Sequence, residues 1–523
     1  MNKLQYDGPV VLAILDGVGL APDAPGNAVS RANTPFLGQA SQKYKHLALE
    51  ASGEAVGLMK GQMGNSEVGH NIIGSGQIIK QGVARINEAF STGEVFDNDI
   101  WREAVKHQTL HFAGIFSDGG VHSHNDHLKQ MIERAYVDGV RKMRIHAILD
   151  GRDVEPQSAE KYIQDFEEFV KQFGDADIKI ASAGGRMTTV ADRYEKDWQM
   201  VKRGFDMMVY GKAERQFRSA MEGVLTLRNE HPEIQDQDLP AFVVVDENGP
   251  VGKIARGDTL IYYNFRKDRA IEIAKVFVLK DFPYFDRGDY APENVYFVGM
   301  TEYDVDAHVP EHYLVELVAP KNTLHEFLGE RGISQLAISE TVKFGHITYY
   351  FDGNSYEAAP LEDFIEIESY DQPFNDHPEM RTAEITEAVL KKMNQYKFVR
   401  INYPGGDMVG HTADMEATIK ALEAIDVSLA QIYAKVKELN GALVVVADHG
   451  NAEEIRGADD EPKTAHTTNL VPCIFCDDTL NNDKYRLSGI EKPGLANLAA
   501  TITVMLGQND YPVTWEKPLL TVI

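Results

Sequence analysis

At 523 residues the chain is too long for one ordinary core, and its length predicts about two to four domains. With 43% hydrophobic and 25% charged residues it has the composition of a soluble globular protein, and no apolar run approaches the ~18 residues that a membrane span needs. A formal net charge of −28 argues against nucleic acid as the main partner, yet leaves room for a small anionic substrate held by a few Arg and Lys side chains gathered in one place.

The first element is the continuous apolar run 10–15, which predicts a strand buried on both faces of a parallel sheet. It is too short for the core of a signal peptide and is stopped by Asp16, so no export signal is expected and the cytoplasm is the expected location. In open α/β sheets ligands gather beyond the carboxyl ends of strands, so Asp16 stands where a metal ligand or catalytic acid would, or simply where a turn aspartate would. Residues 28–45 carry a helical pattern. The stretch 61–70 then sets Gly61, Gly64 and Gly69 around Ser66, a backbone suited to presenting a hydroxyl that a larger neighbour would block. Ser66 is the candidate nucleophile, although a Gly-Asn-Ser run alone reads equally as a turn or helix cap. If Asn65 or Ser66 opens a helix, its free N–H groups favour an anion at Ser66.

From about residue 77 to 320 strands are followed repeatedly by Arg or His. The run 111–116 leads to Ser117-Asp118-Gly119-Gly120-Val121-His122-Ser123-His124 and an amphipathic helix with Leu128, Met131, Ile132 and Ala135 at helical spacing. The run 144–149 leads to Asp150-Gly151-Arg152-Asp153, the run 178–182 to Gly184-Gly185-Arg186 with Arg193 beyond, and the run 260–264 to Arg266 and Arg269. Five arginines at such positions point to an anion-binding α/β domain, because guanidinium groups bind carboxylate and phosphate in bidentate fashion. An arginine-lined pocket also keeps a carboxylate such as Asp153 ionised and available as a proton acceptor. His122, His124, His127 and Asp126 could form a metal cluster; a single His on substrate is the preferred reading. Residues 205–258 carry helical patterning, a polar loop and a short strand near 243–245, and no chemical motif.

Beyond residue 320 carboxylates and histidines return. Strand-like runs at 335–339, 398–403 and 442–447 lead to Lys343, to Asp407 with His411, and to Asp448-His449. Asp407 and His411, four apart, can aim at one ion across a helical turn or tight loop. A long amphipathic helix with Ile419, Leu422, Leu429, Ile432, Tyr433 and Val436 on its core face ends at Asn440-Gly441. His466 precedes the apolar run 470–476, which holds both cysteines, Cys473 and Cys476; a buried strand is favoured over a redox pair. Asp16, Ser66, Asp407, His411, Asp448, His449 and His466 suffice for two divalent ions of three to four ligands each, and mixed carboxylate and imidazole ligation suits manganese or zinc better than magnesium or calcium.

Gly-Asn-Ser-Glu-Val-Gly-His at 64–70, Asp-Met-Val-Gly-His-Thr at 407–412, Ala-Asp-His-Gly-Asn-Ala-Glu-Glu at 447–454 and Thr-Ala-His-Thr-Thr-Asn at 464–469 closely resemble the 2,3-bisphosphoglycerate-independent phosphoglycerate mutases. Ser-Asp-Gly-Gly-Val-His-Ser-His, Asp-Gly-Arg-Asp, Gly-Gly-Arg, Asn-Phe-Arg-Lys-Asp-Arg and Ser-Glu-Thr-Val-Lys-Phe extend the resemblance over nearly the whole chain. It implies two α/β domains: an alkaline-phosphatase-like metal-binding domain, 1–78 and 320–523, interrupted by an inserted substrate-binding phosphotransferase domain, 79–319, with the family's active site in the cleft between them. It implies one manganese on Asp407, His411 and His466 and another on Asp16, Ser66, Asp448 and His449, with zinc or cobalt as alternatives and no requirement for 2,3-bisphosphoglycerate. Ser66 would carry the phosphoryl group between 3-phosphoglycerate and 2-phosphoglycerate. Arg266, Arg269 and Lys343 would hold that group, while His122, Arg152, Asp153, Arg186 and Arg193 would grip the glycerate, Asp153 moving the hydroxyl proton. The segment before Arg193 and the region 205–258 are longer than the family pattern. Neither membrane nor nucleic acid is an expected partner, and a monomer is expected. A metal-dependent phosphatase on the same scaffold and a non-catalytic anion binder are the rival readings.

Overall fold

The computed structural model describes residues 4–189, 196–304, 307–317, 319–457, 459–479 and 484–523. The chain forms two compact units, Met1–Lys80 with Val318–Ile523, and Gln81–Leu317. Each is an α/β sheet structure with its own buried core.

In the first unit seven strands run in the order Glu362–Ile367, Gln335–Glu340, Phe398–Tyr403, Val10–Leu15, Ala442–Val446, Val471–Cys476 and Lys45–Leu49. The first five pair in parallel, and Val471–Cys476 runs antiparallel to both its neighbours. Val10–Leu15 is central, with Val10 opposite Phe398 on one side and Ala442 on the other, and every residue of it is buried. That is why its sequence is apolar without alternation. Cys473 and Cys476 are buried, unbridged residues of the strand Val471–Cys476.

The expected helix over 28–45 is two helices, Ala28–Arg31 and Pro35–Lys43, followed by the strand Lys45–Leu49. Pro35 explains the break: it lacks an N–H to continue the first helix, disfavours α geometry at Thr34, and opens the second helix at its first turn. The helix Met415–Glu438 starts where the Asp414 side chain accepts a hydrogen bond from Ala417 N–H, buries Leu422, Ile425, Leu429, Ile432 and Val436, and stops before Asn440, which takes the left-handed φ of 58°.

The unit Gln81–Leu317 has a sheet in the order Val295–Gly299, Asp258–Tyr262, Leu110–Ile115, Lys142–Leu149, Asp177–Gly185, Phe242–Asp246 and Arg215–Phe217, with Gly249–Pro250 paired to Phe242–Asp246. All pairs are parallel except Asp177–Gly185 with Phe242–Asp246 and the short Gly249–Pro250 addition. A buried polar line crosses four adjacent strands: Asp258 Oδ2 lies 3.3 Å from His111 Nε2, His111 Nδ1 lies 3.0 Å from His146 Nε2, and His146 Nδ1 lies 2.7 Å from Ser182 Oγ. No helix of the described residues is long and apolar enough to cross a membrane.

Candidate active site

Four parallel strands of the first unit deliver chemistry at their carboxyl ends: Leu15 leads to Asp16, Glu340 to Lys343, Tyr403 to Asp407, and Val446 to Asp448 and His449. Close backbone approach lets these loops meet. Gly17 has a φ of 75°, and a Cβ there would fall 2.7 Å from Asp407 Cα. A Cβ at Gly69 would fall 2.7 Å from the Asp448 carbonyl oxygen, so the serine-bearing helix rests directly on the Asp448 strand end.

That helix is Ser66–Ser75, and the Asn65 side chain caps it by accepting from Val68 N–H. Ser66 occupies the first helical position, buried, with Oγ 3.1 Å from Asp16 Oδ1, 3.0 Å from His449 Nε2 and 2.5 Å from Lys343 Nζ. The Lys343 ammonium also donates to Asp16 Oδ1 at 2.9 Å and Asp407 Oδ2 at 2.7 Å. Burial alone would push both aspartates up, but Lys343 and neighbouring histidines hold them well below the usual carboxylate range. Burial would lower Lys343, and Asp16 and Asp407 instead raise it. It is a fixed positive charge.

The histidines are aimed by backbone carbonyls. His411 Nδ1 lies 2.6 Å from the Thr464 carbonyl and His466 Nδ1 lies 2.8 Å from that of Gly64, so both rings are assigned Nδ1–H and turn the Nε2 lone pair inward. Those two Nε2 atoms are 3.0 Å apart and lie 3.1 Å and 3.2 Å from Asp407 Oδ1. Three such atoms converging form a site suited to a cation. The Asp407 hydrogen bond raises His411 against the effect of burial, and His449, despite burial, is pushed up to about 9 by Asp448, Asp16 and Asp407. The buried Asp448 Oδ2 receives no hydrogen bond among the described residues; it lies 3.2 Å from His70 Nδ1 and 3.6 Å from His449 Nε2. An orphaned carboxylate oxygen beside inward imidazole nitrogens fits a divalent ion. Asp407, His449 and His466 present ligand atoms close enough for one ion, and so do Asp16, His70 and Asp448. His70, however, directs Nδ1 to its own helix at the Ser66 carbonyl, 2.9 Å away, while Nε2 meets Asn402 Nδ2 at 3.0 Å. Both ring nitrogens are committed, so His70 buttresses Asp448 and leaves ligation to others.

The second unit gathers an anion-binding set at its own strand ends. Asp150 is the hub: its carboxylate accepts from Ser117 Oγ at 2.6 Å, from the Arg152 and Asp153 N–H groups at 3.3 and 3.1 Å, and from Arg186 Nη1 at 2.5 Å. Arg186, fully buried, also donates to Asp153 and lies 2.7 Å from His122 Nε2. His122 Nδ1 is 3.4 Å from Asp268, which pairs with Arg266 at 3.2 Å. Arg269 is buried and reaches Met187 Sδ at 3.8 Å, while Arg152 and Arg266 are exposed. Arg193 lies outside the described residues. His124 caps the helix Asn125–Val137, and His127 stacks on Phe90 and bonds Asn87, so these two have structural work and form no cluster with His122.

A family model described as the Metalloenzyme superfamily matches residues 8–510. A probable 2,3-bisphosphoglycerate-independent phosphoglycerate mutase of Leptospira interrogans is 44% identical over 525 residues, covering 95% of each chain, and the enzyme of that name from Trypanosoma brucei brucei is 38% identical, covering 98% of this chain and 97% of its own. The solved structure of Leishmania mexicana phosphoglycerate mutase at low cobalt concentration superposes with a TM-score of 0.68 at 37% identity, covering 100% of this chain and 99% of that one. The chain belongs to the 2,3-bisphosphoglycerate-independent phosphoglycerate mutases.

Like other members of this mutase family, it is an enzyme of the isomerase class. Three residues around the cluster were not among the expected site residues, although His70 and Asn451 lie within the runs 64–70 and 447–454. His70 sits one helical turn after Ser66. Asn402, inside a buried strand, donates to Asp16 Oδ2 at 2.7 Å, and Asn451 donates to Asp407 Oδ1 at 3.2 Å. A polar residue in the fully buried run 398–403 was the available sign for Asn402, since such a group must find a partner.

Proposed function

We propose that the chain interconverts 3-phosphoglycerate and 2-phosphoglycerate through a phosphoserine on Ser66, independently of 2,3-bisphosphoglycerate, as a cytoplasmic monomer in glycolysis and gluconeogenesis. The reading rests on the convergence of His411 Nε2, His466 Nε2 and Asp407 Oδ1 in the same cluster as Ser66 Oγ. Asp407, His411 and His466 would hold one ion, and Asp16, Ser66, Asp448 and His449 the other. When bound, two divalent ions, taken as manganese with zinc or cobalt as alternatives, would lower the pKa of the Ser66 hydroxyl and offset charge on the transferring phosphoryl group.

The first unit acts as the alkaline-phosphatase-like metal-binding domain and the second as the substrate-gripping phosphotransferase domain. Ser66 enters as the alkoxide, stabilised by the Lys343 ammonium, and its Oγ–P bond forms as the P–O bond to glycerate breaks. Lys343, Arg266 and Arg269 hold the phosphoryl oxygens, and His122, Arg152, Asp153, Arg186 and Arg193 hold the glycerate. The released oxygen takes up a proton from water; Asp153 then removes one from the other hydroxyl as that oxygen attacks phosphorus and frees Ser66, and returns it to water. The test is conversion of 3-phosphoglycerate by metal-stripped protein with manganese restored and 2,3-bisphosphoglycerate absent, following 2-phosphoglycerate and free phosphate together. Manganese-dependent 2-phosphoglycerate with little free phosphate is expected. Free phosphate as the main product would replace the mutase reading with a phosphatase.

A further inference from the structure

Glu453 lies on the short 3₁₀ turn Ala452–Glu454, five residues after Asp448, and is buried. Its carboxylate contacts no metal-ligand candidate. Instead Oε2 accepts from Gly19 N–H at 2.9 Å and Asn451 N–H at 2.8 Å, while Oε1 accepts from Asn469 Nδ2 at 3.0 Å and from Thr467 Oγ1. These donors come from three separate loops: the one that follows Asp16, the one that follows His449, and the one that follows His466. Two further contacts tighten the knot, since Thr467 N–H donates to the Gly450 carbonyl at 3.0 Å and Ala452 N–H to that of Gly17 at 2.9 Å. A Cβ at Gly19 or at Gly450 would fall 2.2 Å from Glu453 Oε1, so the carboxylate fills the space that side chains there would need. Through Asn451, whose side chain donates to Asp407 Oδ1, the same carboxylate reaches a fourth loop.

We infer that Glu453 is a positioning residue that sets Asp16, Asp407, His449 and His466 in their ion-binding arrangement before any ion arrives. The inference rests on the two-ion reading above. A carboxylate suits the role because it offers only acceptors, and here both oxygens meet two donors each. Ligand loops held ready need no ordering when the ion binds, so the tie is felt as metal affinity.

The test is Glu453→Gln, which keeps the shape but turns one oxygen into an NH₂ that faces two donors on whichever side it lies. Manganese binding to the folded, metal-stripped protein is measured by calorimetric titration well below its melting temperature, with kcat and KM for 3-phosphoglycerate taken at saturating manganese. A loss of about 10–100-fold in manganese affinity is expected, with activity recovering substantially as manganese is raised and KM changing little. Thr467→Val, which at nearly constant volume removes one donor to the carboxylate together with the acceptor of Asn469 N–H at 3.2 Å, serves if the first variant does not fold and should show a smaller loss of affinity. Unchanged manganese affinity in a folded variant, with only a lower melting temperature, overturns the inference. Absence of manganese binding in the unsubstituted protein would overturn the two-ion reading itself, a separate outcome.

Discussion

Lys343 Nζ donates to Ser66 Oγ at 2.5 Å across a separation of 277 residues, and the same ammonium bridges Asp16 and Asp407. It neutralises a buried anionic cluster while touching the proposed nucleophile. Lys343→Met removes that charge and leaves the two carboxylates facing each other. The metal-free variant should lose about 3–5 kcal/mol of stability, the usual cost of removing one partner of a buried ion pair, and added manganese should restore part of it. Urea unfolding with and without manganese checks this; equal losses in both conditions would show that no ion enters beside Lys343.

Ser66→Ala should lower turnover of 3-phosphoglycerate by at least about 10³-fold, since removing a nucleophile removes the covalent route entirely. The fold should survive, because Asn65 still caps the helix. Coupled assay and circular dichroism decide it, and wild-type turnover would take Ser66 out of the mechanism.

Asp153→Asn separates the two halves of the reaction. The leaving oxygen can draw its proton from water, so phosphoryl transfer to Ser66 should continue, but return to the acceptor hydroxyl lacks its base. Intact-mass measurement after mixing with 3-phosphoglycerate should find an added phosphoryl group on the variant. Unaltered turnover would exclude Asp153 as the proton carrier.

Stability should fall on acidification below about pH 6.5 through three buried histidines of the second unit. Burial, with Arg144 and His111 adding to it, holds His146 well below its ordinary value; burial lowers His111 despite Asp258; and burial, with His124, brings His127 to about 4. The folded values lie below the unfolded one, so the unfolded chain binds more protons in this window. The stability is whole above pH 6.5 and drains as pH falls towards 4, by up to ~1.4 kcal/mol per pH unit for each proton. Urea unfolding between pH 7 and 4.5 should show the slope, and His127→Gln should reduce it by up to one proton. Asp352, which burial raises to about 7, offsets one proton in this window, so a slope unchanged by His127→Gln is the outcome that would contradict the buried neutral assignment of His127.

Strand ends were the most legible part of this sequence. The run 398–403 begins and ends in the structure where its apolar pattern does, and Asp16, Asp407, Asp448 and Lys343 follow their strands into one cluster. A fully buried strand cannot hide its pattern, and a charged residue just past its end stands out. Asn402 fell outside every quoted motif; His70 and Glu453 lay inside the runs 64–70 and 447–454 but gave no sign of their roles, because those roles lie in what they hydrogen-bond, and no spacing rule encodes three loops meeting at one carboxylate. The break at Pro35 was visible as a residue but was overridden by the surrounding helical periodicity. His124 and His127 carried a metal-like spacing, whereas one caps a helix and the other packs on Phe90.

The central strand Val10–Leu15 has its neighbours far along the chain, Val10 pairing with Phe398 and with Ala442, in the strands Phe398–Tyr403 and Ala442–Val446. During synthesis it emerges first and waits longest. Gln81–Leu317 already contains every strand of its own sheet, so it can fold on the ribosome while the leading segment is still an unpaired apolar strand in need of protection. Assembly of the unit that carries Ser66 is therefore a late event, timed by arrival of the strands Phe398–Tyr403 and Ala442–Val446, and the slow, non-local pairing of that strand should set the pace at which active protein accumulates.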